Sequence, residues 1–262
     1  MKLSRRKLLK GCIYPIEANQ ILVQVEEVLK TWEPIWTPFV SAPIREEIIR
    51  ILQGVTDISC SSNGGYQNAE RQRILIQRTD REEIRNRTII PFKGIQIQGN
   101  FLFDRTEPQD FWEALMQTGL QEDAIGDIWI TGDKGANTIC TPEASKFLED
   151  QQGLIRDVKI IYKSIGLAEL HLPQQRSPRK ISTVEASRRL DAISSAGFGL
   201  SRAKVINQIK QGKLRFNWHT TNNASRSLSI GDRLQLEGKG SLEVINLELT
   251  KRGRWRVELL KK

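Results

Sequence analysis

The feature that most constrains the fold is a repeated switch, along the middle of the chain, between the two-residue period of strands and the 3.6-residue period of helices. Gly119 closes one predicted helix, and Thr141 caps the start of the next. Residues 132–135, Gly-Asp-Lys-Gly, supply a hairpin turn. The predicted elements are, in chain order, a strand at 95–103, a helix at 108–118, strands at 125–131 and 136–140, a helix at 142–150 and a strand at 158–163.

The order β-α-β-β-α-β is the split βαβ pattern of ferredoxin-like folds, which RNA-recognition domains also use. We therefore predict an α+β protein in which residues 91–171 form a ferredoxin-like (RRM-like) middle domain. Its third strand lacks the aromatic pair on which RNA-recognition domains stack bases, and Phe101 and Phe103 on the first strand fit a core equally well. Fold analogy alone does not make this domain an RNA reader.

Residues 1–90 are predicted to form a mainly helical amino-terminal module. Apolar residues recur at helical spacing up to Pro34, and a second helix is predicted to begin near Ser41, with Pro43 in its first turn. A tight turn follows, with two nearby arginines on one exposed edge, which allows either a secondary anion site or a structural turn with solvated arginines. The residues of this candidate site are Asn63, Gly64, Gly65, Arg71 and Arg73.

The composition argues against membrane, metal and cofactor chemistry. No apolar run approaches the roughly 20 residues that a membrane-spanning helix needs. Two histidines, His171 and His219, and three isolated cysteines suit neither a zinc cluster nor a disulfide framework, so we predict no metal and no cofactor. Arg5 and Arg6 resemble an export signal, but polar residues interrupt the apolar stretch that such a signal needs. We expect a cytoplasmic protein, or a stromal one if its source is a plastid.

The net charge of +9 is divided unevenly along the chain. Residues 178–262 contain 18 Lys and Arg against 7 Asp and Glu, a net charge of +11, whereas the remainder carries −2. A basic module on a nearly neutral body is typical of a polyanion binder, because Lys and Arg displace counterions from phosphates. A merely soluble basic surface is the alternative that the charge alone leaves open.

Residues 172–180 are polar and are predicted to be a linker to the basic module. Two short helices are expected beyond it, and Ser201 is the predicted N-cap of the second, where backbone N–H groups beside Arg202 and Lys204 can hold a phosphate. As exposed charges, Arg202 and Lys204 should hardly affect stability when both are replaced. The predicted RNA-binding residues are Arg188, Arg189, Ser201, Arg202, Lys204, Lys210, Lys213, Arg215 and Asn217.

These basic segments resemble the S4 RNA-binding domain of ribosomal protein S4. The resemblance rests on the Arg-Leu-Asp of residues 189–191, the Ser-Arg of 201–202 and the Lys-Gln-Gly of 210–212, which recur there at this spacing. It implies an S4 domain at residues 181–262. Trp218 departs from the pattern, because many S4 domains have glycine at this position of the hairpin.

Outside the S4-like segment, residues 37–39, 63–66, 69–71 and 119–130 look like the bacterial YlmH family of S4 proteins. Family members from cyanobacteria and chloroplasts are often labelled photosystem II S4 domain proteins. No residue of this sequence indicates a mechanism that would explain the label. The resemblance implies a ribosome-associated RNA binder with roles discussed around translation quality control and cell division.

We therefore expect a non-enzymatic, monomeric protein that binds structured ribosomal RNA or tRNA through its S4 domain, and that does not bind DNA. The alternative is an RNA-modifying enzyme, of pseudouridine synthase or methyltransferase type, with an appended S4 domain. Residues 189–191 resemble the catalytic aspartate motif of pseudouridine synthases, but their position at the first S4 helix favours a structural and RNA-contacting role.

Overall fold

The computed structural model describes residues 3–80, 91–173, 178–236 and 239–262. It divides the chain into two compact units, Met1–Pro173 and Gln174–Lys262. Helices accompany three antiparallel sheets in the described residues, so the predicted α+β class is confirmed. No helix in these ranges is both long and apolar enough to cross a membrane.

The amino-terminal part of the first unit contains a sheet as well as helices, so its prediction as a mainly helical module was incomplete. The short apolar run at 74–76 belongs to a buried strand, which periodicity alone does not distinguish from a helix. The strand order is β1-β3-β2, and residues 81–90 lie outside the described ranges. The elements are α1 (Arg5–Leu8), α2 (Pro15–Thr31), β1 (Ile35–Trp36), α3 (Ala42–Leu52), β2 (Ile58–Asn63) and β3 (Arg73–Arg78).

The second part of this unit has the predicted split βαβ arrangement. In the sheet order β5-β6-β4-β8-β7, α4 joins β4 and β5, which flank β6. After α5 the chain forms the edge strand β7 and then β8, which lies on the other side of β4 from β6. The threonine at 141 caps α5 as predicted, since its hydroxyl accepts a hydrogen bond from the backbone of Ala144 at 3.2 Å. The elements are β4 (Lys93–Gln98), α4 (Pro108–Gln117), β5 (Ile125–Ile130), β6 (Gly135–Cys140), α5 (Pro142–Leu148), β7 (Gln152–Ile155) and β8 (Val158–Ile165).

Two details of this sheet differ from the prediction. Strand β4 ends at Gln98 rather than at residue 103, because the Asn100 side chain accepts a hydrogen bond from the backbone of Leu102 and bends the chain. Phe101 is buried, whereas Phe103 is 94% exposed. Strand β7 was not predicted, since it is only four residues long and contains a glycine.

The two parts of the first unit pack on each other. Ile139 lies on the sheet face opposite the helices, where it forms a cluster with Phe39, Phe92 and Leu170. Gly65 sits so close that an added Cβ would lie 2.7 Å from Cδ1 of Ile139. This packing covers part of the face on which an RNA-recognition domain would stack bases.

The second unit is a six-stranded antiparallel sheet with two helices. Its first strand begins at Arg179, so the predicted linker is too long by two residues, and residues 174–177 lie outside the described part of the chain. The strand order is β11-β10-β12-β13-β14-β9. The elements are β9 (Arg179–Glu185), α6 (Leu190–Phe198), α7 (Arg202–Lys210), β10 (Leu214–Phe216), β11 (His219–Thr220), β12 (Arg233–Leu236), β13 (Gly240–Leu249) and β14 (Trp255–Lys261).

Candidate nucleic-acid interface

A buried carboxylate joins the starts of α6 and α7. Asp191 is 1% exposed. Its two oxygens accept hydrogen bonds from Nε and Nη2 of Arg189, at 3.1 and 3.2 Å, and from Nη2 of Arg202 at 2.7 Å. The two arginine side chains remain partly exposed, at 42% and 55%. Asp191 therefore fixes two cations at the surface of the unit, one at the start of each helix.

The electrostatics of Asp191 depend on both arginines. Burial by itself would raise the pKa of this carboxyl group, but the hydrogen bonds from Arg189 and Arg202 outweigh burial and hold the pKa below its usual value. The carboxylate is consequently charged at neutral pH. The cluster of one buried anion and two cations retains a net positive charge at the surface.

The start of α7 has the predicted cap. Ser201 is the N-cap, and its Oγ accepts a hydrogen bond from the backbone N–H of Lys204 at 3.3 Å. Ser201, Arg202 and Lys204 are all exposed. Arg202, however, also donates a hydrogen bond to the buried Asp191, so its replacement is now expected to lower stability.

Further cations continue from the end of α7 into β10. Lys210 and Lys213 are exposed. In β10, Leu214 and Phe216 are buried while Arg215 between them is exposed, as the alternation of a strand requires. The predicted lysines and Arg215 therefore lie at the surface of the second unit.

Asn217 was predicted to bind RNA, but its side chain is used within the fold. Its Nδ2 donates to Asp232 Oδ1 at 2.9 Å, and its Oδ1 accepts from the backbone of Arg233 at 2.8 Å. Asn217 and Trp218 form the two-residue turn between β10 and β11, with φ of 44° and 73°. The tryptophan thus adopts the left-handed conformation for which glycine is usual, and the Arg233 guanidinium carbon lies 5.9 Å from its ring.

Two more arginines of this unit lie against aromatic rings. The Arg188 guanidinium carbon is 4.6 Å from the Trp255 ring centroid, and that of Arg226 is 4.1 Å from the Phe216 centroid. Cation–π contacts of this kind hold a planar guanidinium in a fixed orientation. Arg188 was among the predicted RNA-binding residues, whereas Arg226, whose aromatic partner is ten residues away along the chain, was not.

The predicted secondary anion site is wrong, because its arginines are internal braces. Arg71 donates from Nε to the carbonyl of Ile125 at 2.8 Å and from Nη2 to that of Glu122 at 3.0 Å. Arg73 donates from Nε to the carbonyl of Thr37 at 2.6 Å. Both guanidinium groups are mostly buried, and burial lowers the pKa of each.

The turn that belonged to this candidate site is also held from within. The Asn63 side chain accepts from the backbone of Gly65 at 2.7 Å, and Gly64 is too closely packed for any side chain. Asp127 accepts from the Tyr66 hydroxyl at 2.7 Å and from the backbone of Arg71 at 2.9 Å. Residues 63–71 therefore form a structural turn, but Arg71 and Arg73 are largely buried rather than solvated as that alternative expected.

Carboxylates and sulfur ligands are dispersed in the part of the chain that the structure describes. Within those ranges no group of three or more His, Cys, Asp or Glu side chains is placed to hold a metal ion. Both oxygens of Asp191 are engaged by arginines, which leaves this aspartate poorly suited to act as a nucleophile.

Residues 16–81 match the family model described as YlmH, N-terminal. The chain is 25% identical, over 218 residues, to ribosome-associated protein quality control protein P2 of Bacillus subtilis (strain 168). The aligned region covers 82% of each of the two chains. Among solved structures it is similar to cell division protein ylmH from Streptococcus pneumoniae, with a TM-score of 0.45, 16% identity and coverage of 59% of this chain and 94% of that one.

Proposed function

Because the chain belongs to the YlmH family, we propose that it is a non-enzymatic RNA-binding protein that docks on structured ribosomal RNA or tRNA through an S4 domain at residues 181–262. The name of the Bacillus subtilis relative links that protein to the ribosome and to quality control. We propose that this chain is likewise associated with the ribosome and acts in translation quality control. We further propose that it is a cytoplasmic or stromal monomer that needs no cofactor.

The observation that carries the proposal is the arrangement of cations around Asp191. Arg189 and Arg202 are held by one buried carboxylate, so they lose little conformational freedom when they bind a phosphate. Arg202 also stands at the first turn of α7, where backbone N–H groups and the helix dipole favour an anion. Exposed Lys204, Lys210 and Lys213 add charge that is free to neutralise further phosphates.

The aromatic residues of the second unit favour folded RNA over single strands. Phe198 and Phe216 are buried, at 4% and 8% exposure, and therefore belong to the core. One face of the Trp255 ring is covered by Arg188. Recognition of single strands relies on exposed aromatic rings that stack with bases, and these side chains offer little such surface.

The use of Asp191 also supports a binding role over the enzymatic alternative. A catalytic aspartate needs an oxygen that can approach the substrate, whereas this one is buried beneath two guanidinium groups. We assign Asp191 a positioning role, in which it orients Arg189 and Arg202 towards RNA.

The test compares two triple variants of the full-length protein in filter binding to ribosomal RNA at several salt concentrations. The first variant is Lys204→Gln, Lys210→Gln, Lys213→Gln. The control is Lys93→Gln, Lys146→Gln, Lys159→Gln, which removes three exposed lysines from the first unit and gives the same net charge. If all three S4 lysines neutralise phosphates, the slope of log affinity against log salt falls by about 2 to 3 in the first variant alone. Equal slopes in the two variants would contradict the proposal.

A further inference from the structure

We propose that the turn between β13 and β14 is a second binding site for the phosphate backbone of RNA, separate from the starts of α6 and α7. The inference rests on the proposed function, since it assigns a further contact to the same ligand. Residues 248–256 carry four cations, Lys251, Arg252, Arg254 and Arg256, against one anion, Glu248. None of these residues was among the predicted RNA-binding side chains.

Most of this charge is unpaired. Arg256 lies 3.8 Å from Glu248 in an exposed ion pair. Lys251, Arg252 and Arg254 are exposed, and the structure gives them no ion pair with any residue in the described ranges. Three like charges on one short turn repel each other, so a polyanion that neutralises them releases that repulsion together with its own counterions.

Hydrogen bonds that do not involve these cationic side chains hold the turn. The backbone N–H of Thr250 donates to the carbonyl of Arg254 at 2.7 Å, and its hydroxyl donates to the same carbonyl at 2.8 Å. The Thr250 hydroxyl also accepts from the backbone of Arg254 at 3.1 Å, and Gly253 supplies the positive φ of 72°. Since only backbone groups and Thr250 hold the turn, the three cations are available to a ligand and can be replaced without loss of the fold.

A groove lies beside this turn, and one cation–π contact joins the strand that follows the turn to Arg188. The groove, of about 830 Å³, is lined by Val184, by residues 248–252, and by Arg254 and Arg256. Trp255 follows the turn, and its ring contacts Arg188, the neighbour of Arg189 in the Asp191 cluster. Because side chains alternate along a strand, Arg256 and Val184 in the groove face away from Trp255 and the core, so the turn is a separate basic site on the second unit.

The chemistry of the groove favours RNA over a lipid surface. Two exposed apolar side chains, Val184 at 49% and Leu249 at 63%, border it. A helix that binds in the membrane interface presents a continuous apolar face opposite its charges, which two isolated strand residues do not provide. Guanidinium and ammonium groups on a hydrogen-bonded turn suit the regularly spaced phosphates of a nucleic acid.

The experiment measures the salt dependence of RNA binding in variants of the full-length protein. The test variant is Lys251→Gln, Arg252→Gln, Arg254→Gln. A charge-conserving variant, Lys251→Arg, Arg252→Lys, Arg254→Lys, shows whether charge alone is needed, and the Lys93, Lys146 and Lys159 variant is the control for net charge. We expect the test variant to lose about 2 to 3 from the slope of log affinity against log salt, and the charge-conserving variant to keep the wild-type slope.

The outcomes separate this inference from the proposed function. A wild-type protein without salt-dependent RNA binding would overturn both. If the slope of log affinity against log salt falls in the Lys204, Lys210 and Lys213 variant but stays at the wild-type value in the turn variant, only the proposed second site is overturned. The turn variant is also tested on vesicles containing anionic phospholipid, and a loss of vesicle binding with unchanged RNA binding would assign the turn to a membrane surface instead. Thermal melting of each variant verifies that the fold is retained.

Discussion

Replacing Arg202 by alanine should destabilise the second unit, although more than half of the arginine side chain is exposed. The substitution removes the 2.7 Å hydrogen bond from Nη2 to the Asp191 carboxylate, which is 1% exposed. A hydrogen bond to a charged group contributes about 1.5 to 3 kcal/mol, and a buried charge that loses a partner adds the cost of its desolvation. Arg189 still contacts both oxygens of Asp191, which limits the loss.

We therefore expect the free energy of unfolding to fall by about 1 to 2 kcal/mol at neutral pH, around the lower end of the range for a charged hydrogen bond, because Arg189 still holds Asp191. For a unit of this size, that change lowers Tm by roughly 4 to 16 °C. The measurement is thermal and urea unfolding of the full-length protein, monitored by near-ultraviolet circular dichroism.

Lys204→Ala is the matched control, because Lys204 lies on the same turn of α7 and its exposed side chain makes no ion pair within the described ranges. Its effect should stay under about 0.5 kcal/mol. If Arg202→Ala unfolds at the same temperature as Lys204→Ala, the assignment of Asp191 as the anchor of the two helix starts is refuted.

Three further predictions test other parts of the structure. Arg189 and Arg202 lower the pKa of Asp191, so the charged carboxylate contributes to stability above the unfolded-state pKa of about 3.9. This contribution is lost as the pH falls through the lower folded-state pKa. In urea titrations from pH 6 to 2, Asp191→Asn should therefore lose less stability than wild type. Gly65→Ala should destabilise the first unit by about 2 kcal/mol or more, because Gly65 has a φ of 89° and the new Cβ would meet Ile139. Gly119→Ala is the control, since its Cβ would have open space and only the strain of the positive φ would lower its stability. Folded ribosomal RNA should bind more tightly than poly-uridine in filter assays, and equal affinities would remove the argument from buried aromatic side chains.

The sequence predicts those parts of the fold that depend on local periodicity and caps. Except for β7, the strands and helices between residues 93 and 165 are predicted correctly, because each one is short, regular and bounded by glycine, proline or threonine. The cap at Ser201 was found for the same reason. Strand β7 was missed because four residues with a glycine carry no clear period.

The errors concern side chains whose partners are distant in the chain. Arg71 and Arg73 appear solvated in the sequence, but their acceptors lie 36 to 54 residues away, at Thr37 and Ile125. Arg202 meets Asp191 across eleven positions, and Asn217 meets Asp232 across fifteen. Charge and residue type indicated a basic surface, but only the packing of the helices and strands decides which cations are exposed to a ligand.

The central claim is that residues 181–262 dock on structured ribosomal RNA or tRNA. Ultraviolet crosslinking in cells, with sequencing of the bound RNA and mass spectrometry of the crosslinked peptides, tests it most directly. The account predicts enrichment of ribosomal RNA or tRNA, with crosslinks concentrated in peptides from residues 181–262. Crosslinks confined to residues 1–173, or no RNA above the level of an uncrosslinked sample, would contradict it.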